Sequence, residues 1–150
     1  MSQNDGDTVA HPVFGELRWE TLRECWFTQV CDSEGGQVDV SVKPHEQDPL
    51  AVLDRATDLY RRAVRVERRI LRAAVREELL ELYNETWRVA GRELTAAELI
   101  SQLRFEYIEI SPVGVVPVIL SYTAGDLFGG HTVDVEVDET LSYIDVDLVG

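Results

Sequence analysis

Lysine is almost missing from this chain: Lys43 stands against thirteen arginines, and residues 105–150 carry neither lysine nor arginine. Cysteine is nearly as scarce. Cys25 and Cys31 lie in "ECWFTQVC", which reads as a strand. Six strand steps separate them by roughly 20 Å at ~3.3 Å per residue, so they cannot bond each other there. Both are expected as reduced core fillers, in keeping with a cytoplasmic protein. No apolar run approaches the ~20 residues of a membrane span. The opening "MSQNDGDTVA" lacks the charged and apolar regions of a signal peptide. Residues 1–12 are expected as a disordered tail before one domain over 13–150. The sequence has no GxSxG, P-loop, GxGxxG or CxxC pattern, so the common nucleophilic, phosphate-binding, dinucleotide and redox signatures are absent. Glycine and proline are missing from residues 50–90, so nothing there breaks a helix.

What is present is acid. The net charge is −14, which favours solubility and repels nucleic acid and anionic membranes. Arginine in place of lysine fits a GC-rich genome, and acid-rich, lysine-poor composition also resembles proteins of salt-loving microbes. Charge is segregated along the chain. Residues 55–76 hold eight arginines against Asp58 and Glu67, while residues 105–150 hold nine acids. The arginines spread around a helix, which predicts a solvated face with local ion pairs, ahead of a protein or dimer contact and of nucleic-acid binding. No aromatic platform or glycine-rich loop accompanies them.

Two blocks of strands flank the helical region. "VFGELRWE" (13–20) and "CWFTQV" (25–30) read as strands, "SEGG" as a turn, and "QVDVSVKP" as an alternating strand with Val38, Val40 and Val42 on one side. Asp48 is an N-cap with Pro49 in the first turn. Forty helical residues would span ~60 Å, too long for a compact domain of this size, so a break is expected in "RVERR" (65–69). The helix is expected to end by Gly91. "TAAE" is a capping box of Thr95 and Glu98, opening a short helix to Leu103. Four strands follow: "FEYIEI", "VVPVILSY", "HTVDVEV" and "LSYIDVDLV". Pro117 marks the second as an edge strand or a bulge. The fold class is α+β, with a largely antiparallel sheet packed on two to three helices.

The last two strands carry the functional interest. Val133, Val135 and Val137 form one face of "HTVDVEVD", and Ile144, Val146 and Leu148 one face of "LSYIDVDLV". Pairing these faces leaves Asp134, Glu136, Asp138, Asp145 and Asp147 as a plate of carboxylates. Like charges opposite each other destabilise a sheet. The plate is therefore either a solvated outer face or a contact for a basic protein partner. A divalent cation is a poorer fit, because calcium ligands usually come from a loop that wraps the ion. In "AGDLFGGH", Asp126 and His131 could face each other as a general base or as two metal ligands. His131 has no HxH, HxxxH or HExxH partner, and His11 and His45 fall in expected loops. A structural His131, bonded to a backbone carbonyl or to Asp126, is the preferred reading.

"LFGGHTVDVEVD…SYIDVDLVG" resembles the C-terminal signature of a bacterial family catalogued as domain of unknown function 2262. That signature is a Leu-Phe-x-Gly-His motif, an alternating strand and a final strand ending in glycine. Leu127, Phe128, Gly130, His131 and Gly150 match it, and Gly129 departs where an aromatic residue is frequent. The specific part covers about thirty residues. The resemblance implies no known activity, and some relatives look like immunity proteins of bacterial toxin systems; no cofactor is expected. The leading expectation is a non-enzymatic cytoplasmic module that binds a basic protein, with a homodimer as a further possibility. The alternative is a metal-binding or hydrolytic site at Asp126 and His131.

Overall fold

The computed structural model describes residues 3–31, 35–45 and 48–150. Eight strands form one sheet in sequential order, β1 (Thr8–His11), β2 (Gly15–Glu20), β3 (Cys25–Cys31), β4 (Gln37–Val42), β5 (Arg104–Ile110), β6 (Val118–Thr123), β7 (Thr132–Val137) and β8 (Tyr143–Val149). Every neighbouring pair is antiparallel except β4 and β5. A parallel pair needs a long crossover, and the helical region between β4 and β5 supplies it. The class is α+β with a mostly antiparallel sheet, as the order of strands, helices and strands implied.

The expected tail contains β1, which pairs with β2 from Thr8↔Arg18 to His11↔Gly15. His11 therefore ends a strand, and its Nε2 lies 3.2 Å from Asp54 on the crossover helix. Alternation over four residues is too short to stand out in a polar sequence. Ser33 and Glu34 of the expected turn, and Glu46 and Gln47 before the helix, lie outside the described residues.

Asp48 caps α1 (Pro49–Ala74) by accepting from the Leu50 N–H at 2.9 Å. The expected break at 65–69 does not occur. Val66, Glu67 and Ile70 turn inward there while the arginines point out, and arginine is a good helix former. Glu67 is nearly buried, and its carboxylate accepts a hydrogen bond from the Tyr122 hydroxyl at 2.6 Å. The helix changes only later. Val75–Leu79 and Tyr83–Trp87 are π-helical, either side of the short α2 (Leu80–Leu82). Their i→i+5 bonds include Arg88 N to Tyr83 O at 2.8 Å. The capping box forms as expected and opens α3 (Ala96–Gln102). Glu98 is held at about 2 by its hydrogen bonds from Arg92 and Thr95.

Helix and sheet share one core. Trp26, Val40, Leu53, Leu71, Ile108, Leu120, Tyr122 and Phe128 are fully buried. Trp26 also donates from its indole nitrogen to the Pro49 carbonyl at 2.7 Å, tying β3 to the start of α1. Pro117 neither marks an edge nor enters a strand. It sits one residue before β6, which runs between β5 and β7. Its missing N–H therefore falls where no ladder bond is needed, and its carbonyl accepts from Ser111 N.

Candidate functional site

The carboxylate plate forms by direct register. Asp134 stands opposite Asp147, and Glu136 opposite Asp145. The valines of β7 are buried on the helix side, so these four carboxylates share the opposite face. None of the four has an ion-pair partner among the described residues. The single lysine is used further in, where Lys43 at the end of β4 lies 3.2 Å from Glu109 of β5. Asp145 and Asp147 are exposed, while Asp134 and Glu136 are half-buried.

Asp134 accepts from the Ser121 hydroxyl at 2.7 Å. Burial pushes its carboxyl above the usual range, and the facing Asp147 adds to the push. A carboxylate raised in the folded state loses stability as the pH climbs through its titration. Asp134→Asn keeps the acceptor and removes the charge. It is expected to stabilise the protein by roughly 0.5 kcal/mol at pH 7, a value reduced by solvent screening. The gain should vanish at pH 3, and urea unfolding at both values checks it.

Asp138 does not join the plate. Its Oδ1 accepts from Thr140 N, Thr140 Oγ1 and Ser142 N, at 2.9, 2.7 and 2.9 Å. Hydrogen bonds from Ser142 and Thr140 accordingly hold its carboxyl below the usual range. It is the organiser of the β7–β8 turn, in which buried Leu141 adopts φ 62°. Thr140 and Ser142, two and four residues on, were the available sign of this role.

A bulge between Glu136 and Val137 pairs Val137 with Tyr143. Tyr143, which strict alternation with Asp145 and Asp147 would put on the outer face, therefore faces the helix and donates to Glu78 at 2.7 Å. Ile144, expected inside, is 47% exposed. Val146 and Leu148 pack against the core as expected.

The structure places Asp126 and His131 in one glycine turn without joining them. Asp126 is exposed. His131 has Nδ1 2.7 Å from the Phe128 carbonyl, and its ring meets Trp87 edge-on at 5.6 Å. Gly150 lies close against the imidazole. Phe128 in turn packs between Tyr83 and Trp87, at 5.8 and 6.1 Å. Gly129 has φ +63°, and a Cβ there would stand 2.9 Å from the Trp87 ring. An aromatic side chain at this position would need Trp87 elsewhere. The Leu-Phe-x-Gly-His stretch thus clamps the end of the long helix to the sheet. Among the described residues no cluster of three or more His, Cys, Asp or Glu has metal-holding geometry. No helix among them is long and apolar enough to cross a membrane.

Sequence reasoning missed the tyrosine–acid pairs inside the fold. Glu67 follows Ala63 by four and precedes Ile70 by three. Its place on the buried stripe was the legible signal. On the outer face, the Tyr107 hydroxyl lies 2.6 Å from Ser41 Oγ. Burial pushes the Tyr107 phenol up to about 12 against the lowering effect of Ser41. The buried Cys25 thiol is raised for the same reason. Cys25 and Cys31 are free and occupy opposite ends of β3, and Cys31, expected as a core filler, is exposed because the strand's far end leaves the core.

Comparisons with curated proteins and with solved structures each return no match. A family model described as "Uncharacterized protein conserved in bacteria (DUF2262)" matches residues 11–148, so the chain belongs to that family.

Proposed function

We propose that this protein is a non-enzymatic binding module that engages a basic protein through the outer face of β7 and β8. The observation that carries the reading is the pair of face-to-face carboxylates, Asp134 with Asp147 and Glu136 with Asp145, left without a cation among the described residues. Each like-charged pair costs the free protein about a few tenths of a kcal/mol. A partner bearing arginine or lysine would relieve that cost and gain long-range attraction from the −14 net charge. Neutralisation of a basic toxin domain, as by an immunity protein, is one form of this activity, and a cytoplasmic setting suits it. The face is a better contact than the arginine helix. Several helix charges are already engaged locally, as in Arg62 with Asp58 at 2.9 Å and Arg68 with Glu67 at 3.7 Å.

A homodimer built by laying arginines on carboxylates is disfavoured by the layout. The plate and the helix lie on opposite faces of the sheet, so such a contact would be heterologous and open-ended.

Amide chemical-shift mapping with a small basic protein tests the proposal. Perturbations confined to β7, β8 and the neighbouring end of β6 are expected. Perturbations spread evenly over all exposed acids would reject it.

A further inference from the structure

A second surface feature has no part in the acidic face. Between α1 and the ends of β3, β4 and β5 lies a cleft of about 670 Å³, within the ~300–1,000 Å³ usual for small-molecule sites. Its inner wall is apolar, with Val38 and Leu103 buried and the Tyr60 and Phe105 rings half-buried. Arg65 and Arg68 reach it from α1, and Arg104 from the first residue of β5. Among the described residues these three guanidinium groups meet one lining carboxylate, Glu67. Glu67 Oε2 is occupied by the Tyr122 hydroxyl, and Oε1 stands 3.7 Å from Arg68 Nε. Arg65 and Arg104 have no ion-pair partner among the described residues. The described residues thus set a surplus of positive charge around an apolar recess.

We infer that this cleft binds a small organic anion with an aromatic body. The body would lie against Tyr60 and Phe105, and the anionic group would meet Arg65 and Arg104. Arginine suits this role because its planar fork matches a phosphate or a carboxylate with two parallel hydrogen bonds. Glu67 sets polarity at the inner end. It repels a second anionic group and keeps a lone pair on Oε1 for a donor on the ring. The shared chemistry is that of a nucleoside monophosphate or an aromatic carboxylic acid.

The probe is 1-anilinonaphthalene-8-sulfonate, an aromatic anion whose fluorescence rises in an apolar site. The intact protein is expected to bind it at one saturable site. Arg65→Ala with Arg104→Ala should weaken binding at least tenfold, while Arg69→Ala with Arg72→Ala, outside the cleft, should leave it unchanged. Val64→Trp, which fills the cleft and keeps its charges, should abolish binding. Circular dichroism of each variant confirms the fold. Displacement by adenosine 5′-monophosphate but not by adenosine or inorganic phosphate assigns a phosphate, and displacement by phenylacetate assigns a carboxylate. No saturable binding, equal loss in the two arginine pairs, or no displacement by either anion would overturn the proposal. Charge reversal on β7 and β8 leaves this measurement intact, so its failure is separable from that of the acidic face.

Discussion

Phe128→Ala is expected to lower the free energy of unfolding by about 3–5 kcal/mol. The ring is fully buried, with Tyr83 and Trp87 around it. Its loss opens a void beneath the π-helical end of the crossover, and neither neighbour can collapse into it without distorting that helical segment. Small domains have about 5–15 kcal/mol in total, so the variant should lose roughly a fifth or more of its stability. Urea unfolding at pH 7 reads this directly. His131→Ala should cost less, because the ring is only half-buried and makes one bond to backbone. If His131→Ala is the more damaging of the two, the turn is not the packing clamp described above.

The second large effect is a loss of stability in alkali, centred on Tyr122. Burial holds this phenol well above its usual value, and the Glu67 charge adds to the shift. Burial also raises Tyr107 to about 12 and lifts Tyr143, the latter with help from Glu78. Each group binds its proton more tightly folded than unfolded. The stability they contribute is therefore complete below pH 10, where the unfolded phenol titrates, and is lost as the pH rises beyond it. Tyr122 alone should contribute a slope of about 1.4 kcal/mol per pH unit in that window. Tyr122→Phe should cost about 1–3 kcal/mol at pH 8 by stripping a hydrogen bond from a buried carboxylate. It should also flatten the alkaline decline, so that the gap to the parent narrows by pH 11. Parallel decline in the two proteins would remove Tyr122 as its source.

Much of this architecture was readable from residue order. Asp48, Thr95 and Glu98 announced both helix starts, because a cap depends on a few neighbouring residues. Val133, Val135 and Val137 announced the inner face of β7, because alternation maps onto a pleat. The failures came where tertiary contacts override local period. The length argument placed a break at 65–69, yet Tyr122 satisfies Glu67 from a strand 55 residues away, and the helix runs on. One bulge at Glu136 and Val137 was enough to carry Tyr143 inward and Ile144 outward. The shared face of Asp134, Glu136, Asp145 and Asp147 survived because it depends only on the unbulged register before that point. Asp138 was misplaced because the acid pattern was read through into a turn. The arginine cleft was invisible, since Arg104 lies far in sequence from Arg65 and Arg68.

The central claim is that position, not total charge, makes the β7–β8 face a contact. The most direct measurement compares two charge-matched triple variants for binding to a small basic protein across a salt series. One is Glu136→Lys, Asp145→Lys, Asp147→Lys. The other is Glu81→Lys, Glu85→Lys, Glu93→Lys, at exposed sites outside the plate. The account predicts that the first loses at least tenfold in affinity and most of its salt slope, while the second stays within about threefold of the parent. Equal losses in the two variants, or unchanged binding in the first, would contradict it.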